Sequence, residues 1–99
     1  MNIVWSNEAK RSLRAIHRYI AADSKFYATR MIARIVERAE SIATAPLQGH
    51  AVHEYPEAPL REVHESPYRI VYRLAGESVQ IVTIVHFKQR LQSVRLRKR

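Results

Sequence analysis

Ninety-nine residues, 46% of them hydrophobic, are enough for one hydrophobic core and too apolar for wholesale disorder. Seventeen Lys and Arg against nine Asp and Glu give a net charge of +8, which points to a polyanion or an acidic protein as partner. The absence of cysteine excludes disulfides and thiolate chemistry, and no apolar run approaches the ~20 residues of a membrane span.

Ile3-Val4-Trp5 is a short β-prone run halted by Ser6-Asn7, either of which can cap a following helix. From Glu8 to Ala22, Ala9, Leu13, Ile16 and Ile20 recur at helical spacing, while Arg11, Arg14 and Arg18 fall on another stripe. This predicts an amphipathic helix with a basic outer face. Asp23-Ser24 breaks the pattern and supplies a second cap. A longer helix then runs to about Thr44, with Ala28, Met31, Ile32, Ile35, Ala39 and Ile42 as its apolar stripe and Arg30, Arg34 and Arg38 on another face. The short break between the two predicts an antiparallel hairpin.

Pro46, Gly49, Pro56 and Pro59 make residues 46–59 irregular. After them the period changes to two. Leu60-Arg61-Glu62-Val63-His64 reads as a strand ended by Ser66-Pro67. Tyr68, Ile70, Tyr72 and Leu74 alternate with Arg69, Val71 and Arg73, predicting a strand with one apolar and one cationic face. Ala75-Gly76-Glu77 makes a turn, and Val79 to Phe87 is apolar on both faces, as a central strand should be. The order is β-α-α-β-β-β: an α+β domain over residues 1–99, its N-terminal helical hairpin packed on a small, curved, mostly antiparallel sheet. Leu13, Ile16, Ile35 and Ile42 are expected between helices and sheet, with Trp5, Ile81 and Val85 opposite them.

Of the histidines His17, His50, His53, His64 and His86, only His50 and His53 lie close in sequence, in a proline-rich loop without zinc-motif spacing. No metal is expected on that ground. Cofactor and hydrolase motifs are absent, so no cofactor is expected either. Arg69 and Arg73, four apart on a strand, should point to one face about 13 Å apart. Arg61 and His86 could join them on the sheet face opposite the helices. Guanidinium forks suit phosphate or carboxylate, and His is the usual proton shuttle near neutral pH. The bland alternative is an exposed cationic face balanced by Glu62 and Glu65. The last twelve residues, 88–99, hold Lys88, Arg90, Arg95, Arg97, Lys98 and Arg99 and no acid, a basic tail that binds an anionic surface or stays solvated.

Several of these segments together resemble the RelE/ParE superfamily of type II toxins. They are Trp5-Ser6 followed by Ala9 and Leu13, Ile16-x-x-Tyr19-Ile20-Ala21, Ala45-Pro46-x-x-Gly49 and Leu60-Arg61-Glu62. Tyr68-Arg69-Ile70-Val71-Tyr72-Arg73 and Ile81-x-x-Ile84-Val85-His86 complete the match, which covers residues 3 to about 91. The resemblance implies the same element order and a cytoplasmic bacterial toxin held inactive by a cognate antitoxin, with an oligomer assembled through that antitoxin as one arrangement. It also implies one of two mechanisms, cutting of messenger RNA on the ribosome or inhibition of DNA gyrase.

Arg69 matches the sheet Arg of the cutters. Glu62 stands where cutters tend to carry a Lys, and Val94 falls where their Tyr would be. In the alternative cutting pattern the catalytic His would fall on Phe87, one residue beyond His86. These departures favour the ParE branch, a gyrase inhibitor rather than an enzyme. For a ribonuclease the catalytic candidates are Arg69, Arg73 and His86. For antitoxin or target binding they are Arg61, Arg69, Arg73, His86, Lys88 and Arg90.

Overall fold

Ser6 is the residue that starts the first helix. Its Oγ accepts the Ala9 N–H at 2.9 Å and donates to the Val82 carbonyl at 2.7 Å, so one hydroxyl caps the helix and ties it to the sheet. In the computed structural model, which describes residues 1–92, helix α1 then spans Asn7–Ala21. Ser24 Oγ accepts the Tyr27 N–H at 3.2 Å and caps α2, Lys25–Glu40, which tightens into a 3-10 turn at Ser41–Ala43. Among the described residues, no helix is long and apolar enough to cross a membrane. Val94 and the tail cations Arg95, Arg97, Lys98 and Arg99 lie outside the described residues.

The strands are β1 (Asn2–Trp5), β2 (His50–Ala51), β3 (Arg61–Glu65), β4 (Tyr68–Ala75) and β5 (Ser78–His86). They form one sheet in the order β1-β5-β4-β3-β2, with β1 parallel to β5 and the other pairs antiparallel. Strand β2 lies within the stretch expected to be irregular, and adds a fifth strand by pairing with β3. Gly76, at φ 60°, opens the two-residue turn between β4 and β5.

The helical hairpin covers one face. Ala9, Ile35, Ala39 and Ile42 pack there with Val63, Tyr68, Ile70, Tyr72, Val79, Ile81 and Ile84, while Trp5, Leu13, Ile16 and Met31 are partly buried around them. The opposite face is not the cationic surface that the alternation predicts. The 52–60 loop and the chain beyond β5 fold over it, and Val52, Leu60, Val71, Val82, Val85 and Leu91 form a second small core.

Val85 belongs to this second core, not to the layer of Ile81 as expected. The cause is a register slip: Tyr72 pairs with Ile81 but Val71 with Thr83, leaving Val82 without a partner on β4. One extra residue in β5 breaks the period of two on which the expectation rested.

The Pro46-x-x-Gly49 segment has a packing explanation. Tyr72 Oη donates to the Pro46 carbonyl at 2.8 Å and accepts the Gly49 N–H at 2.9 Å. A Cβ on Gly49 would stand 2.7 Å from Tyr72 Oη and 2.8 Å from the Glu62 carbonyl oxygen, so only glycine fits this approach.

Candidate functional site

The four residues expected to converge, Arg61, Arg69, Arg73 and His86, are divided between the two faces. Arg69 lies on the face away from the helices and is only 4% exposed. Its Nη1 and Nη2 grip both oxygens of Glu54 at 2.9 and 2.8 Å. Nη1 also donates to Glu62 Oε1 at 3.1 Å and Nη2 to the Gln89 carbonyl at 3.0 Å. The Arg69 Nε is buried without a hydrogen-bond partner among the described residues.

Glu54 Oε2 also accepts the Leu91 N–H at 2.9 Å. The Arg69 hydrogen bonds pull the Glu54 carboxyl from 4.5 down to about 2, against burial, which pushes it up. The same Glu54 bonds raise the Arg69 pKa further. Arg69 is thus the clasp that fastens the 52–60 loop and the chain beyond β5 to the middle of the sheet. Glu62, at the position where the cutters tend to carry a Lys, is part of that clasp.

Arg73 reaches Gln80 Oε1 through Nε at 2.7 Å and is half-buried near the far end of β4. Arg61 Nη1 donates to the carbonyls of Gly49 at 2.6 Å and Leu47 at 3.3 Å, which ties it to the loop before β2. His86 is on the helix side. Its ring meets Tyr68 edge-on at 5.5 Å, and its Nδ1 accepts the Lys88 N–H at 3.0 Å. Lys88 and Arg90 are exposed beyond β5.

His86 opens onto a feature that residue patterns did not single out. A groove of about 560 Å³ runs between the hairpin and the sheet, lined by Ala15, Ile16, Tyr19, Ile20, Met31, Pro67, Tyr68, His86 and Gln89. Tyr19 is 80% exposed at its rim, and Phe26 and Tyr27 on α2 are 63% and 66% exposed. The Arg30 guanidinium lies 5.5 Å from the centre of the Phe26 ring. Large aromatic side chains with cations beside them are the composition of a protein-binding surface. The signal was in the sequence: Tyr19, Phe26 and Tyr27 are aromatics off the apolar stripe.

The chain is thus a helical hairpin laid across a five-stranded mixed sheet. The ParE toxin of the type II toxin–antitoxin system parDE matches this chain as a family over residues 3–91. The chain is 39% identical over 85 residues to Toxin RelE2 of Caulobacter vibrioides, covering 85% of this chain and 92% of that protein. Its fold resembles the chromosomal ParDE system from P. aeruginosa, with a TM-score of 0.72 and 24% identity over 87% of this chain and 95% of that one. It also resembles the toxin–antitoxin complex RelBE2 from Mycobacterium tuberculosis, with a TM-score of 0.66 and 21% identity over 86% and 88% of the two chains. This chain belongs to the ParE toxin family, within the RelE/ParE superfamily of type II toxins.

Proposed function

We propose that this toxin is neutralised by a cognate antitoxin and acts as a non-catalytic inhibitor of DNA gyrase. The observation that carries the proposal is the separation of Arg69 from His86. General acid–base cleavage of RNA needs a proton acceptor for the ribose 2′-OH, a donor for the leaving oxygen and cations at the phosphate, all around one point. Here Arg69 is committed to Glu54, Glu62 and Gln89 beneath the second core, while His86 opens onto the groove on the other face. Arginine does not release its proton near neutral pH and cannot replace the missing base.

A surface inhibitor needs complementarity instead of an acid–base set. The groove at Tyr19, Met31, Tyr68 and His86 supplies apolar anchorage for an antitoxin segment, and Arg14, Arg18 and Arg30 are exposed on the same two helices. Lys88 and Arg90 remain as exposed cations for an anionic target. The charge of +8 favours fast capture by an acidic antitoxin, with apolar anchors supplying most of the affinity.

The test is paired. Purified toxin is added to a gyrase supercoiling reaction and to a translating extract, each with and without antitoxin. Loss of supercoiling with intact messenger RNA is expected. Codon-specific cuts with unaffected gyrase would instead make this chain an endonuclease, the activity of the RelE branch whose name its Caulobacter relative carries.

A further inference from the structure

Two carboxylates, Glu54 and Glu62, with side chains 3% exposed, share the single guanidinium of Arg69, and besides it only imidazoles stand against them, His53 3.3 Å from Glu54 Oε1 and His64 2.6 Å from Glu62 Oε2, among the described residues. Burying a carboxylate is costly unless a cation meets it. Glu54 is saturated, with both oxygens on Arg69 and Oε2 also on the Leu91 N–H. Glu62 is not: Oε1 faces Arg69, while Oε2 points the other way, to His64 Nε2 at 2.6 Å. Glu62 Oε2 is therefore the carboxylate oxygen of the clasp that Arg69 does not hold.

Strand register brings a second imidazole to that oxygen. His50 on β2 pairs directly with Glu62 on β3, and His64 lies two residues further along β3 on the same face as Glu62. The rings of His50 and His64 meet edge-on at 5.0 Å, and the Phe87 ring packs tilted against His64, also at 5.0 Å. A nitrogen of each ring and a carboxylate oxygen of Glu62 lie within 4.8 Å of one another. His50 Nδ1 lies 3.2 Å from the Ala51 carbonyl, and a proton donated there leaves Nε2 as a free lone pair.

We propose that His50, Glu62 and His64 form a zinc site, a function independent of the toxin's target. Two imidazoles and one carboxylate are a known three-protein-ligand zinc set, with the fourth position left to water. Ligand atoms around a tetrahedral ion stand about 3.3–3.6 Å apart at bond lengths of ~2.0–2.2 Å, so the site closes by rotation of the exposed His50 ring and by the parting of His64 Nε2 from Glu62 Oε2, now 2.6 Å apart. The ion takes the place of the proton between His64 and Glu62, adds positive charge beside the two carboxylates and cross-links the two-residue strand β2 to β3. The neighbouring trio His53, Glu54 and Glu62 offers less, because both Glu54 oxygens are already engaged.

The experiment is calorimetric titration of the untagged full chain with zinc chloride, with cobalt(II) absorption as a spectroscopic readout of geometry. One ion per chain and a tetrahedral cobalt spectrum are expected. His50→Gln and His64→Gln should each weaken binding by about tenfold or more, while His53→Gln leaves it unchanged. His50→Gln is the decisive variant, because His50 is exposed and its melting curve without metal should match that of the natural chain. Absence of saturable binding, binding undiminished in His50→Gln, or binding abolished by His53→Gln would each overturn the assignment.

Discussion

Replacing Arg69 by Ala separates a structural from a catalytic role for the most conspicuous basic residue of the sheet. The substitution removes three ion-pair contacts of 2.8–3.1 Å and leaves Glu54 and Glu62, each 3% exposed, without their common cation. Breaking a buried ion pair from one side typically costs about 3–5 kcal/mol, a large share of the ~5–15 kcal/mol that holds a domain of this size together. The segment beyond β5 should loosen as well, since the Arg69 bond to Gln89 and the bridge through Glu54 to Leu91 hold it down.

Urea unfolding followed by the fluorescence of Trp5, the single tryptophan, measures the loss. Arg69→Lys should fall between the two, because an ammonium keeps the charge but cannot grip both Glu54 oxygens. Adding Glu54→Gln and Glu62→Gln to Arg69→Ala should recover part of the stability by removing the stranded charges. A loss below about 1 kcal/mol in Arg69→Ala, with toxicity abolished, would refute the clasp and return Arg69 to the target-binding surface.

Gly49→Ala should cost about 1–3 kcal/mol by thermal or chemical denaturation, because its Cβ meets Tyr72 Oη at 2.7 Å and the Glu62 carbonyl oxygen at 2.8 Å, one of them backbone. Acid titration should find stability from Glu54 fully present above pH 4.5 and lost as pH falls through about 2, roughly 3 kcal/mol in all. That acid transition should disappear from Arg69→Ala, which lacks the bond that depresses the carboxyl. Tyr19→Ala, at an 80% exposed position, should leave the melting temperature within a degree or two but weaken antitoxin affinity about tenfold or more by calorimetry. Arg18→Gln and Arg30→Gln should chiefly lower the antitoxin on-rate and its dependence on salt, read by stopped-flow or surface binding kinetics.

The helices were legible because their signals are local. Ser6 and Ser24 cap where a polar residue follows an interruption, and Ile35, Ala39 and Ile42 hold the spacing of one buried stripe. Strands β3 to β5 were legible from the change to a period of two, whereas β2 lay within the stretch expected to be irregular. The outer face of the sheet was not, since its cover comes from a proline-rich loop with no period of its own. Val52, Leu60 and Leu91 look like isolated apolar residues until they meet Val71, Val82 and Val85.

Arg69 read as a ligand-binding cation because alternation put it on a face presumed open. What closes that face is the 52–60 loop and the chain beyond β5, whose Glu54 and Gln89 meet the guanidinium, and neither carries a periodic signal. The slip at Val82 has no mark in residue type, and it moved Val85 off the layer of Ile81. His50 and His64 are distant in sequence, and only the pairing of His50 with Glu62 brings them together.

Stoichiometry separates a toxin that occupies a surface, as proposed, from one that turns over a substrate. Gyrase at fixed concentration is titrated with purified toxin, and residual supercoiling is measured beside the integrity of ribosome-bound messenger RNA in a matched translating extract. Supercoiling should fall in proportion to toxin added, reach its floor near equimolar toxin and be restored by antitoxin, while messenger RNA stays whole. Messenger RNA cut by toxin at a small fraction of the ribosome concentration, with supercoiling untouched at equimolar toxin and above, would contradict the proposal.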